Sequence, residues 1–216
     1  MDRGKIGIVT GLAAEARWLR RAGFMVQVGG GTPHGAKHAA EALIRQGALK
    51  LISFGLAGGL KPHLAPGSIL VPPAVMEGRQ IYLCDYILME FLGGSTDIPI
   101  LAGTKMATTA HEKALLYRRN HPAAIDLESG AVARVATEKN LPFAVLRAVA
   151  DPAERDLPTA ATVALKDDGR INLPKILYSV LKRPAQISGL IALGRDAKAA
   201  RSALLARLEK LPVLSD

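Results

Sequence analysis

The sequence predicts an α/β fold, a largely parallel sheet flanked by helices. Between Lys5 and Phe54, β-branched runs alternate with Ala- and Leu-rich stretches of helical length, the pattern of successive strand–helix units. The run from Phe143 to Val149, apolar except for Arg147, adds a further strand late in the chain. With 216 residues, 49% of them hydrophobic, the chain can bury a sizeable core, enough for one domain and short for two.

In chain order, Lys5–Val9 reads as a central strand closed by Thr10-Gly11, and Ala13–Ala22 as a helix stopped at Gly23. Phe24–Val28 is a second strand, followed by Gly29-Gly30-Gly31-Thr32-Pro33. Ala36–Gln46 is a helix with Gly47 as its stop, and Leu49–Phe54 a third strand ending in a glycine-rich turn, Gly55–Gly59. Gly67–Val71 and Arg79–Leu83 read as strands around Pro72-Pro73, which suits an edge or a corner. Asp85–Leu92 fits helix and strand periods alike, and residues 93–99 are loop. Ala110–Asn120 is a helix, Ala123–Ile125 a strand and Glu128–Lys139 the next helix. Beyond Pro158, Leu173, Ile176, Leu177, Val180 and Leu181 form one helical stripe. Ile187, Leu190 and Ile191 begin a second, which Gly194 interrupts. Neither a linker nor a repeat divides the chain, so residues 1–216 are expected to form one domain, with a core over about 5–155 and a C-terminal helical extension over about 159–212.

The lone cysteine, Cys84, excludes an internal disulfide framework and fits a reducing compartment. No apolar run is long enough to span a bilayer. The N-terminus imitates a secretory signal, but Gly7, Thr10 and Gly11 break its apolar run, and a first core strand is the better reading. A cytoplasmic protein is expected. The net charge of +9 favours phosphate-rich or anionic partners. From Lys166 onward there are ten basic residues and five acidic ones. That basic tail is either a solvated helical face or a surface for anionic membrane, with Lys175, Lys182 and Arg183 beside an apolar stripe. Nucleic acid is ranked below both, because Tyr178 is the one aromatic residue of the tail available for stacking.

Chemistry is expected at the strand ends. The first offers Gly11 and Glu15, the third its glycines, a later one Asp126 and Glu128, and the last Asp151. In a largely parallel sheet these ends fall on one side and converge on a site. Asp126-Leu127-Glu128-Ser129 by itself fits equally a capped helix with surface acids, since carboxylates suit a helix N-terminus. The Gly29–Gly31 run lacks the G-x-G-x-x-G spacing and the acidic residue of a dinucleotide site. The five histidines lack metal spacing, and Ser68 and Ser129 lack a nucleophile-elbow context, so no metal is expected. Cys84 reads as core or substrate-lining, not as a nucleophile.

Four motifs occur in an order that resembles the nucleoside phosphorylase and nucleosidase superfamily, methylthioadenosine/S-adenosylhomocysteine nucleosidase in particular. They are Ile6-Gly7-Ile8-Val9 with Glu15; Gly55-Leu56-Ala57-Gly58-Gly59-Leu60 followed by Pro66-Gly67-Ser68-Ile69-Leu70-Val71; Ile125-Asp126-Leu127-Glu128-Ser129; and Leu146-Arg147-Ala148-Val149-Ala150-Asp151. The resemblance covers roughly residues 5–155. More narrowly, Asp168-Gly169-Arg170, Lys182-Arg183-Pro184 and the basic C-terminal helix look like the hopanoid-associated branch, which removes adenine from adenosylhopane. The resemblance implies a three-layer fold with a mixed, largely parallel twisted sheet and a C-terminal helical extension. It also implies N-glycosidic cleavage of a small or lipid-linked adenine nucleoside without a cofactor, and a homo-oligomer, a dimer.

Roles follow from the matching positions. Asp151 matches the acid at the purine N7, Glu128 the carboxylate on the ribose hydroxyls, and Glu15 the glutamate that activates water. Leu127 stands where the family has Met under the sugar, Asp126 lies beside it, and Ala57 and Gly58 match backbone lining the sugar pocket. Leu56 replaces a common hydroxyl residue. Inorganic phosphate as co-substrate would have Gly11 and Arg17, and the loop Gly29–His38, as its anion site. The missing hydroxyl favours water as nucleophile, and the choice between the two stays open at this stage. Cleavage develops positive charge on ribose and negative charge on the departing base, and a protonated acid at one end with carboxylates at the other complements both. Apolar neighbours such as Val149 and Ala150 would raise the pKa of Asp151 toward the protonated form.

Overall fold

The computed structural model describes residues 2–162 and 172–212. The strands are β1 (Ile6–Thr10), β2 (Met25–Val28), β3 (Lys50–Gly59), β4 (Ile69–Leu70), β5 (Ala74–Glu77), β6 (Gln80–Leu83), β7 (Ile100–Ala102), β8 (Ala124–Asp126) and β9 (Phe143–Asp151). The helices are α1 (Ala13–Arg21), α2 (Pro33–Arg45), α3 (Tyr86–Phe91), α4 (Ala110–Asn120), α5 (Ser129–Glu138), α6 (Thr159–Thr162), α7 (Leu173–Lys182) and α8 (Ile187–Glu209). The strands form one mixed, mostly parallel sheet in the order β2-β1-β3-β8-β7-β5-β6, with β9 on β3 and β4 on β9. Helices flank it, as the strand–helix alternation predicts.

Two long strands organise the sheet. The first half of β3 lies between β1 and β9, parallel to both, and its end pairs antiparallel with β8. Sequence reading ends this strand at Phe54 and turns the chain at the glycines that follow; instead β3 runs on to Gly59. Crowding explains the glycines: a Cβ on Gly55 would lie 2.7 Å from the Arg147 guanidinium, and one on Gly59 3.2 Å from Val149. Gly55 also has φ +150°, which disfavours any other residue. Every residue of β9 is buried, consistent with its apolar sequence. Between Ala57 and Gly58 the β3–β9 register shifts, so that Val149 pairs with Ala57 but Asp151 with Gly58. Such a local irregularity re-aims side chains at the end of a ladder.

Helix α2 starts at Pro33, three residues before the predicted start at Ala36. Pro33 occupies the first turn, where its missing N–H costs nothing, and Thr32 Oγ1 accepts from Gly35 N at 3.1 Å. The ambiguous stretch after Asp85 is helical, capped by Asp85 Oδ1 on Leu88 N. Residues 100–102, unassigned from sequence, form β7 and join β5 to β8. Helix α8 is continuous through Gly194, which is exposed, so the gap in the apolar stripe falls where no core contact is needed. Its buried residues Ala200, Leu204 and Leu208 recur every fourth position and join the main core, and α8 packs on β9.

The predicted stripe on α7 divides. Ile176 and Val180 are half-buried, whereas Leu177 and Leu181 are 62% and 74% exposed. The motif Asp168-Gly169-Arg170 lies outside the described residues, as do Lys166 and Asp167. Among the described residues no helix is long and apolar enough to cross a membrane.

Candidate active site

The ends of β1, β3, β8 and β9 surround a cavity of about 270 Å³. Four carboxylates line it: Glu15, Asp126, Glu128 and Asp151. All four are buried. The convergence expected at strand ends is therefore present, although β8 reaches the site by running antiparallel to β3. Apolar side chains line it as well, among them Leu12, Met106, Leu157 and Leu193.

Beneath the cavity lies Arg147, the one charged residue in the body of β9 and 1% exposed. Its Nε is 3.1 Å from Asp126 Oδ2, its Nη1 3.6 Å from Glu128 Oε2, and its Nη2 donates to Ser53 Oγ at 2.7 Å. A buried guanidinium requires such partners, and its planar donor fork supplies them in one place. Burial opposes its charge, but the facing carboxylates of Asp126, Glu128 and Glu15 outweigh that and hold its pKa above the ordinary value.

Asp126 is committed on both oxygens. Oδ2 holds Arg147, while Oδ1 accepts from the backbone N–H of Glu128 and of Ser129, each at 2.7 Å, and so caps α5. This cap fixes the backbone that carries Glu128. Glu128 Oε1 then accepts from Gly31 N at 3.2 Å. The glycine loop predicted as an anion site thus holds the protein's own carboxylate, and it is shorter than expected, since α2 already begins at Pro33. A Cβ on Gly29 would lie 2.7 Å from Glu128 Oε1, which makes glycine the residue that lets Glu128 in. Burial raises the pKa of Glu128 to about 7, against the opposing pull of Arg147.

Glu15 sits on the first turn of α1 and is fully buried. Thr10 Oγ1 donates to its Oε2 at 2.5 Å, and Oε1 has no hydrogen-bond partner among the described residues. Burial raises its pKa, with the Thr10 hydrogen bond and the charge of Arg147 opposing.

Apart from the Arg147 cluster, Asp151 Oδ2 is 2.6 Å from Lys113 Nζ. Lys113 is fully buried on α4, and its hydrogen bonds go to the carbonyls of Pro152 at 2.9 Å and Arg155 at 2.7 Å. Burial raises the pKa of Asp151, in the direction anticipated from its apolar neighbours, while Lys113 opposes the shift.

Of the other residues singled out from sequence, Gly11, Ala57, Gly58 and the half-buried Leu127 line the cavity, as does Leu56. A Cβ on Gly11 would come within 3.1 Å of Glu128 Oε2. Arg17 does not belong: it is exposed on α1 and absent from the cavity wall, because it lies two positions beyond Glu15 and so on another face of the helix. Cys84 is core and not cavity lining, and burial pushes its thiol up to about 12. His34 and His38 touch each other at 3.0 Å on the exposed face of α2, and no cluster of three or more metal-ligating side chains exists among the described residues. Two residues at the site escaped sequence reading. Arg147 carried a signal, a lone charge in an apolar strand, which buries only with partners. Lys113 carried none, being one cation among several on an ordinary helix.

Residues 99–182, which include β7, α4, β8, α5 and β9, match the family model described as Phosphorylase superfamily. The whole chain has the fold of the nucleoside phosphorylases and nucleosidases. It is similar to the S-adenosylhomocysteine nucleosidase of Streptococcus pyogenes, solved in complex with 5-methylthiotubericidin, at 17% identity over 96% of this chain and 97% of that one, with TM-score 0.66. The futalosine hydrolase of Helicobacter pylori is 15% identical over 95% of this chain and 97% of its own, with TM-score 0.66. The 5'-methylthioadenosine/S-adenosyl homocysteine nucleosidase of Campylobacter jejuni is 16% identical over 96% and 99%, with TM-score 0.67. A search of curated proteins finds no match.

Proposed function

We propose that the protein is an enzyme that cleaves the N-glycosidic bond of an adenine nucleoside and releases adenine. The observation that carries this reading is one cavity lined both by Asp151, paired with Lys113, and by Glu15 and Glu128, which face Arg147. In this mechanism the bond from the ribose anomeric carbon to adenine breaks with its electron pair leaving on the base, and Asp151 delivers a proton to the purine N7. Glu128 holds the ribose hydroxyls over Leu127 while positive charge develops on the sugar. Water adds to the anomeric carbon and gives its proton to Glu15 Oε1, the oxygen that Thr10 leaves open. A buried carboxylate with a raised pKa is a better proton acceptor near neutrality than an exposed one.

Water is favoured over phosphate as nucleophile. No basic residue is among those lining the cavity in the described chain, and Arg147 is already taken up by carboxylates and Ser53. A phosphate anion would meet four carboxylates there with no cation of its own.

For the substrate, adenosylhopane is the reading the surface supports. The apolar wall continues in Leu157 and Leu193 toward the C-terminal region. On α7 and the start of α8, Leu177, Tyr178, Leu181, Ile187 and Ile191 are exposed. From Asn172 to Arg195 the chain has four basic residues and no acidic one. An apolar strip beside basic residues fits the surface of an anionic membrane, where each such charge contributes about 1 kcal/mol. The second reading, a methylthioadenosine/S-adenosylhomocysteine nucleosidase, rests on the fold shared with such enzymes. Exposed Ile81, Leu83, Tyr86 and Ile87 around edge strand β6 support a homodimer.

Adenine release from methylthioadenosine and from adenosylhopane in detergent, each with and without phosphate, tests these readings. Release from the lipid alone supports the hopanoid branch, and release from the small nucleoside alone overturns it. Asp151→Asn is expected to lower turnover by about 100-fold or more while adenine still binds. Adenine binding by a parent protein that turns over neither nucleoside would instead make it a binding protein.

A further inference from the structure

Lys113 is buried completely, yet it is neither a cavity-lining residue nor part of the Arg147 cluster. Its Nζ donates to the Pro152 and Arg155 carbonyls at 2.9 and 2.7 Å and lies 2.6 Å from Asp151 Oδ2 as an ion-pair contact. A buried ammonium needs compensation, and the two carbonyl dipoles and the Asp151 carboxyl supply it together. The two carbonyls belong to the turn immediately after Asp151, so one side chain fixes both the carboxylate and the backbone that carries it.

That turn is held from other sides as well. Ala110 N donates to Asp156 Oδ1 at 2.7 Å, His63 N to Glu154 Oε1 at 2.7 Å, and Arg155 pairs with Asp196 of α8. The charged groups bearing on Asp151 are Lys113 from α4, Arg155 from the turn and Asp196 from α8. Lys113 alone of these is both buried and in direct contact with the carboxylate.

We propose that Lys113 is a positioning residue that locks the Asp151 carboxyl in one orientation and sets the pH at which it yields its proton to the departing base. The inference rests on the nucleosidase reading above. An ammonium in contact with a carboxyl favours its ionised form, so Lys113 brings the loss of the Asp151 proton to lower pH than burial alone would. Its removal moves that event upward. An opposite charge at this distance lowers a carboxyl pKa by about 1–3 units, so the alkaline limb of the rate–pH profile in Lys113→Met is expected about one unit or more higher. Lys113→Arg keeps the charge, and its limb is expected to stay with that of the parent.

The experiment is the pH profile of adenine release by the parent, Lys113→Met and Lys113→Arg, together with the 15N resonance of Lys113 Nζ in the parent, assigned by its absence in Lys113→Arg. An upward shift in the Met variant alone supports the proposal. A fall in rate with the limb unmoved in both variants reduces Lys113 to a purely structural lysine and overturns it. The nitrogen resonance needs no folded Met variant and no turnover: an ammonium at neutral pH supports the paired lock, and a neutral amine overturns it. If the parent releases no adenine at any pH, the nucleosidase reading fails and proton delivery with it, while the resonance still decides whether the lock exists.

Discussion

Replacing Arg147 by Met removes the one cation that, among the described residues, contacts Asp126 and Glu128, and leaves a side chain of similar reach in the core. The guanidinium lies 3.1 Å from the first carboxylate and 3.6 Å from the second, and all three groups are buried. Removing one partner of a buried ion pair costs about 3–5 kcal/mol, because the remaining charge loses its compensation. For a chain of this length each kcal/mol lowers Tm by about 2–4 °C, so a drop on the order of 10 °C is expected. The loss depends on pH. Burial holds the folded pKa of Glu128 at about 7, above the ordinary value of 4.5, so the stability associated with its neutral form is fully present below the lower value and is lost as pH rises through the higher one. Without Arg147 its pull toward ionisation disappears, the folded value rises further, and the penalty in alkaline solution grows. Thermal unfolding followed by circular dichroism at about pH 5 and about pH 8 should therefore give a larger deficit at the higher pH. A variant that melts with the parent, or one with equal deficits at both pH values, would refute the idea that Arg147 compensates these carboxylates.

Glu15→Gln should separate stability from turnover. The buried carboxylate with raised pKa loses its stabilising neutral form as pH rises through its folded value, and Gln has no such ionisation, so at about pH 8 the variant should melt at or above the parent while adenine release falls by about 100-fold or more. Gly35→Ala should destabilise by about 1–3 kcal/mol in urea titration, since its Cβ would sit 2.0 Å from the Gly29 carbonyl oxygen, and a backbone atom cannot move aside cheaply. Gly194→Ala should act oppositely: a Cβ there meets nothing within 4 Å on an exposed turn of α8, and a gain of about 1 kcal/mol in the same titration is expected from helix propensity.

Much of the site is legible in sequence because strand ends are local features. Asp126, Glu128 and Asp151 each terminate or follow an apolar run, and each lines the cavity. The Gly55–Gly59 stretch misleads for a physical reason: glycine marks both a turn and a close approach, and here the approach of Arg147 and Val149 decides. Arg17 misleads because position in sequence near Glu15 does not specify a helix face directed at the cavity. The α7 stripe is legible as one apolar helical face, but its tertiary neighbours half-cover Ile176 and Val180 and leave Leu177 and Leu181 exposed.

By itself the sequence determines most of the strand–helix order, with β5 and β7 unread, and the presence of acids at strand ends, because these depend on residues a few positions apart. Tertiary structure alone decides which charges meet: Arg147 with Asp126 and Glu128, Lys113 with Asp151, and the Gly31 N–H with Glu128. Charge pairing in a core is set by which groups are denied water together, and that is a property of packed strands and helices distant in the chain.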